Sequence, residues 1–187
     1  MASLFVGACG RHDEPLGPTA TLPQGTTTTN PYAVPVVIDE AYVNRVLAGL
    51  DHALGDVTRI VVSERAITQD VVDRLKALYI GDYLKLSVAA FEQGIRSGFT
   101  TYREPPGDRS TVVTRLISIS SSCIFAEVRR DYSATSVNPA AATTIQWVAI
   151  QPSDLVGVAG SNPTRWVFIS DGFAEGGTEP RDPCAES

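Results

Sequence analysis

Ile80–Phe99 reads IGDYLKLSVAAFEQGIRSGF, and the period of its apolar residues decides the fold class. Tyr83, Leu84, Val88, Phe91 and Ile95 recur at helical spacing and form one apolar stripe. Asp82 is placed to cap the start, and Gly98 stands where a helix stops. Beyond Phe99 the period shortens and the chain reads as β almost to its end. A striped helix ahead of a strand meander predicts that this helix lies across the sheet, because neither apolar face is stable in water.

Working outward towards the N-terminus, Asp39 is placed to cap a helix beginning DEAYVNRVLAGLDHALGDV. Val43, Val46, Leu47, Leu50, Leu54 and Val57 make its inward stripe. Two continuations stay open: the helix runs on through Arg59–Arg65, or it breaks near Gly55 ahead of the β-branched VTRIVVSE. Thr68 caps a second helix, TQDVVDRLKALYI, with Val71, Val72, Leu75 and Leu78 inward, and Gly81-Asp82 is the joint to the third.

Towards the C-terminus, Pro105-Pro106-Gly107-Asp108 marks a turn. Ser110–Ser120, Ser121–Asp131, Thr143–Gln151 and Thr164–Asp171 then read as strands. In the second, Ile124, Ala126 and Val128 alternate with Cys123 and Phe125, so the two sets face opposite sides. Connections made of turns predict an antiparallel meander. The expected class is therefore α+β, with N-terminal helices on a curved four-stranded antiparallel sheet. Trp147-Val148 and Trp166-Val167 make the strands apolar on both sides, so the face away from the helices should be covered by a loop, the tail or a second subunit.

A chain of 187 residues suffices for one domain with a core and tails. Its net charge of −6 and the absence of any Lys/Arg-rich run argue against a nucleic-acid partner, whose phosphates would need neutralising. No apolar run approaches the roughly 18 residues of a membrane span.

The N-terminal run Leu4-Phe5-Val6-Gly7-Ala8-Cys9 places small residues just before a cysteine. It resembles the lipobox of bacterial lipoproteins, although no basic segment precedes it and the apolar stretch is short. The resemblance implies that residues 1–8 are the remnant of a signal whose true start lies further upstream; the alternative is that the signal is absent and Met1–Cys9 is a short frayed apolar end. It also implies that Cys9 carries a diacylglycerol. Residues 9–36 hold Pro15, Pro18, Pro23, Pro31 and Pro35 with Thr26–Thr29 in a row. Such a segment buries too little apolar surface to offset its ordering entropy and reads as a tether. Lipidated cysteine, tether and domain (residues 37–173) are the layout of a protein held on the outer face of the cell membrane by its acyl chain.

Three cysteines occur. With Cys9 acylated, Cys123 and Cys184 remain, and a bridge between them would pin the Gly/Pro-rich tail, residues 174–187, to the sheet in an oxidising compartment. The alternative is two unrelated thiols. No cysteine has zinc-site spacing, and His12 and His52 are isolated, so no metal site is expected.

From Ile38 to Phe173, helices followed by a curled four-stranded meander resemble the nuclear-transport-factor-2-like, or SnoaL-like, cone fold. The layout is also similar to small envelope proteins and secretion-accessory domains of high-GC Gram-positive bacteria. The cone-fold resemblance implies a long helix over the concave face, often with a pocket, and dimers through the convex face. The residues expected around such a pocket are Tyr79, Tyr83, Phe91, Trp147 and Trp166. Polar residues that could point inward are Tyr79, Asp82, Tyr83, Tyr102, Asp131 and Tyr132, each also readable as a cap, core or strand-end residue.

No G-x-S-x-G, G-x-G-x-x-G or P-loop occurs, so neither a hydrolase elbow nor a nucleotide cofactor is indicated. Arg129-Arg130-Asp131 reads as a solvated strand end with a local ion pair. With few polar residues expected to converge, no catalytic residue or cofactor is assigned. The leading expectation is a non-catalytic, lipid-anchored accessory or docking subunit of a membrane-associated complex, with a protein partner or second copy on the sheet face. The alternative is a small-molecule binder or a dehydratase/isomerase-like enzyme using the pocket between helix and sheet.

Overall fold

A computed structural model describes residues 30–138, 143–153, 161–172 and 180–185. Cys9, the expected signal remnant, most of the expected tether and part of the tail lie outside the described residues. The order is α1 (Glu40–Glu64), α2 (Gln69–Lys76), α3 (Gly81–Arg96), β1 (Ser110–Ile119), β2 (Ile124–Asp131), β3 (Thr143–Pro152) and β4 (Trp166–Gly172). The strands pair antiparallel in chain order, β1-β2-β3-β4, so the protein is α+β with its helices packed on an open meander.

Asp39 caps α1 as expected: its Oδ1 accepts from the Tyr42 N–H at 2.8 Å. The helix does not break at Gly55. A Cβ there would fall 1.9 Å from Asp108 Oδ1, so this glycine serves the close approach of the segment before β1. Thr68 caps α2. The helix that would cross the sheet proves to be α1. Val43, Val46, Leu47, Leu50 and Val61 are all 0% exposed, whereas α3 buries only Phe91. Tyr83, Leu84, Val88 and Ile95 pack on the core only partly. The reason is position: α3 lies alongside β4 and the ends of the other helices, while α1 runs over the sheet from β1 to β4. Asp82 does not cap α3; Ile80 is the N-cap, and Asp82 is an exposed partner of Lys85.

Alternation along β2 holds. Ile124, Ala126 and Val128 join the core under the helices, and Phe125 faces the other way. β2 starts later than read, because Ser120 Oγ accepts from the Ser122 and Cys123 N–H groups and closes a turn. Bulges interrupt the β1–β2 ladder and bend that edge. On the opposite edge the segment joining α2 to α3 pairs with β4: Phe168 N–H donates to Leu78 O at 2.8 Å and Ile80 N–H to Phe168 O at 3.3 Å. That short parallel pairing covers part of an edge strand.

The outer face carries a second apolar cluster of Phe125, Trp147 and Ala149, with Ile117, Ile169 and Cys184 against it. The tail covers it. Cys123 and Cys184 form a disulfide with Cα atoms 5.5 Å apart, and Ser118 hydrogen-bonds Asp182. Among the described residues no helix is long and apolar enough to cross a membrane.

Candidate functional site

A cavity of about 190 Å³ opens between α1, α3, the loop before β1 and the loop after β2. Leu54, Phe91, Tyr79, Tyr102 and Tyr132 supply most of its apolar lining, and Asp51 and Arg109 its charge. Asp51 belongs to the α1 stripe, one turn from both Leu47 and Leu54, and is 2% exposed. Arg109 Nε donates to Asp51 Oδ1 at 2.6 Å, and its Nη2 lies 3.5 Å from Asp171 Oδ2. Arg130 Nη1 closes the network by donating to Asp171 Oδ1 and, at 2.7 Å, to Gln146 Oε1. The expectation of a solvated Arg129-Arg130-Asp131 end is thus overturned at Arg130, which is 1% exposed. Strand alternation is the cause: Arg130 shares a face with Ile124, Ala126 and Val128, the face under the helices.

Asp171 reaches the same place through a bulge. Ile150 pairs with Phe168, but Ala149 pairs with Ser170 and Val148 with Asp171, so one residue of β4 is unpaired. The extra residue shifts the alternation and turns Asp171 towards the helices. Burial alone would raise its pKa, but the Arg109 and Arg130 charges outweigh burial and hold it below the ordinary carboxylate range. Burial would likewise discharge Arg109, but Asp171, Tyr79 and Asp51 hold it more firmly protonated than usual. Desolvation pushes the Tyr79 phenol well above its ordinary value. Its hydroxyl donates to Asp171 Oδ2 at 3.3 Å. Two acids and two bases balance, so the network enters the core with no formal excess of charge. Asp51 Oδ2 and Arg130 Nη2 are buried without a hydrogen-bond partner.

Of the residues expected around a pocket, Tyr79 and Phe91 line this cavity. Tyr83 does not; its hydroxyl lies 3.2 Å from Ser170 Oγ. Trp166 is core: its Nε1 donates to Tyr42 Oη at 2.9 Å. Trp147 faces the opposite side of the sheet, where it packs on Phe125 and under Arg115. The two tryptophans lie in different strands, and alternation with the β3–β4 register puts Trp166 under the helices and Trp147 on the outer face. Tyr102 and Tyr132 do converge, whereas Asp82 and Asp131 stay outside the lining. The expectation of few converging polar groups fails: Asp51, Arg109, Arg130 and Asp171 come together from separate parts of the chain. Arg109 and Asp51 lie 58 residues apart, and Arg109 and Asp171 lie 62 apart.

At the outer rim, His52 is not isolated. Its Nδ1 lies 2.8 Å from Asp108 Oδ2, and Asp108 Oδ1 accepts from Arg59 Nη1 at 2.6 Å. The hydrogen bond to Asp108 raises the imidazole pKa.

A second cavity of about 290 Å³ adjoins the first, and Tyr102, Tyr132 and Thr135 line both. Backbone pairing sets this wall: Arg103 N–H donates to Thr135 O and Val137 N–H to Thr101 O. Among the described residues no group of three or more His, Cys, Asp or Glu side chains is placed to hold a metal ion. No protein-family model, curated protein or solved structure matches the chain, so what the site does rests on its own geometry.

Proposed function

We propose that the protein is a small-molecule-binding domain that takes its ligand in the cavity lined by Tyr79, Phe91, Tyr102 and Arg109. The observation that carries this reading is the pairing of an apolar, ring-sized cavity with a buried, fixed charge network on one wall. Concave apolar sites with a few convergent polar groups are where small ligands bind. An engineered cavity of about 150 Å³ in another protein accepts benzene, so this one is large enough for a ring with one substituent.

Binding is better supported than dehydratase-like or isomerase-like catalysis. A general base works best with its pKa near the operating pH. Asp171 is held low by two arginines, and the Tyr79 phenol is held high. Both groups are committed to fixed charge states.

We place the domain on the outer face of the cell membrane, anchored through Cys9. The Cys123–Cys184 disulfide supports an oxidising compartment. A docking role is a second reading, favoured by exposed Val112 and Ile145, which flank Arg129 across the ladder beyond the area the tail covers.

A fragment screen read by amide chemical shifts tests the binding reading. Single-ring fragments bearing an acceptor oxygen should shift the amides of Tyr79, Phe91 and Arg109, and Arg109→Met should abolish those shifts. A screen in which these amides stay fixed would end the proposal. Mass spectrometry of membrane-extracted protein should find a diacylglycerol on Cys9; an unmodified Cys9 there would remove the anchor.

A further inference from the structure

We infer that the two adjoining cavities are chambers of one site for an uncharged ligand. Its ring-sized part would occupy the first and a hydroxyl-bearing part, of sugar or polyol type, the second. At the junction Tyr132 would donate its phenolic proton to a ligand oxygen. This inference rests on the ligand-binding reading above and deepens it.

Charge comes first. The first chamber's wall carries Asp51 and Arg109, and behind it Asp171 and Arg130 complete a neutral set. An ionised ligand would enter a desolvated space with no excess counter-charge, and a neutral ligand avoids that cost. The second chamber is lined by Thr101, Tyr102, Tyr132, Thr135, Ser136, Thr144 and Gln146, none of which is ionised at neutral pH.

Hydrogen-bond polarity comes next, and Arg130 sets it. A guanidinium only donates, so Gln146 must turn its Oε1 to Arg130 Nη1, 2.7 Å away. Gln146 Nε2 therefore faces outward and donates to Tyr132 Oη and Thr144 Oγ1, both at 3.0 Å. With its oxygen already accepting, Tyr132 has one proton to give, and it lies on a long 3.3 Å bond to Gln146 Oε1, an oxygen that also accepts from Arg130; a ligand oxygen at the junction would take that proton in its place. Thr144 is left a donor by the same logic. Thr135 donates to Gly107 O at 3.0 Å and so offers its oxygen as an acceptor. The second chamber thus presents donors and an acceptor in one uncharged wall, the match for hydroxyl groups, which do both. Polarisation along Arg130, Gln146 and Tyr132 strengthens the terminal donor.

Titration with phenyl β-D-glucopyranoside tests this, with phenol and methyl β-D-glucopyranoside as separate controls, read by amide shifts and calorimetry. The linked probe should shift Phe91 together with Thr144 and Gln146, and should bind at least tenfold tighter than phenol. Tyr132→Phe, which keeps the ring that lines the first chamber, should cut the linked probe's advantage over phenol about tenfold. Thr144→Val, at a half-buried rim position, should weaken the linked probe and leave phenol unchanged, and checks the result independently of any packing defect at Tyr132. Phenol binding in the first chamber with no gain from the sugar would overturn the two-chamber site while sparing the binding reading. Failure of both phenol and the linked probe to bind would overturn the two together.

Discussion

Arg130 shows how one side chain can carry a wall. It donates to Asp171, Gln146 and Thr111 while 1% exposed. Removing one member of a buried ion pair leaves the other uncompensated, at about 3–5 kcal/mol. Arg130→Met should therefore lower the urea-unfolding free energy by about that much. Asp171 adds a pH signature. Its folded pKa lies below the unfolded value, so its stabilisation is complete above about pH 4 and is lost as pH falls through the folded pKa. Acid unfolding followed by circular dichroism should shift to higher pH in Arg130→Met. His52 has the opposite sign. Its folded pKa is raised, so its contribution is full below about pH 6.5 and disappears as pH rises through the folded pKa. The stability gap between wild type and His52→Ala should be widest below about pH 6.5 and narrow as pH rises through the folded pKa. A gap that widens with pH would remove the Asp108 pairing as its cause. Arg130 was legible in part, since alternation puts it with Ile124 and Val128; its partners were not, because they lie 16, 19 and 41 residues away on other strands and leave no local trace.

Among the elements, helix ends were the easiest to read and strand parity the hardest. Asp39→Ala should cost about 1 kcal/mol, the usual worth of a side-chain N-cap. Asp82→Ala should cost far less, since Asp82 makes no capping bond and sits fully exposed beside Lys85. Thermal melts of the two variants would separate these outcomes, and equal losses would mean that Asp82 caps after all. Both aspartates stand at the start of an amphipathic run, and sequence treats them alike. Gly81, at φ 59°, begins α3 in a way that displaces the cap to Ile80. In β4 a single bulge reverses which residues face the helices. Periodicity alone keeps Phe168 and Asp171 on opposite faces, and the register places them on the same one.

At the scale of the whole molecule, the tail closes the second apolar layer. Loss of a native disulfide in a small domain typically costs about 2–5 kcal/mol. Cys123→Ser with Cys184→Ser should destabilise by an amount in that range and expose Phe125 and Trp147, raising dye binding and quenching of Trp147 fluorescence. Unchanged quenching would show that the tail stays seated without its bridge. By itself the sequence determined the α+β class, the order of helices and strands and the meander, and it left the pairing of Cys123 with Cys184 as one of two readings. The first three follow from local period and turn chemistry. Only the tertiary structure decided that α1 is the spine, that Trp147 leaves the core, and that Asp51, Arg109, Arg130 and Asp171 meet beside two cavities. Period tells which face a residue shows within its own element, whereas the meeting of charges from three elements and the loop before β1 depends on register and packing, which no local pattern carries.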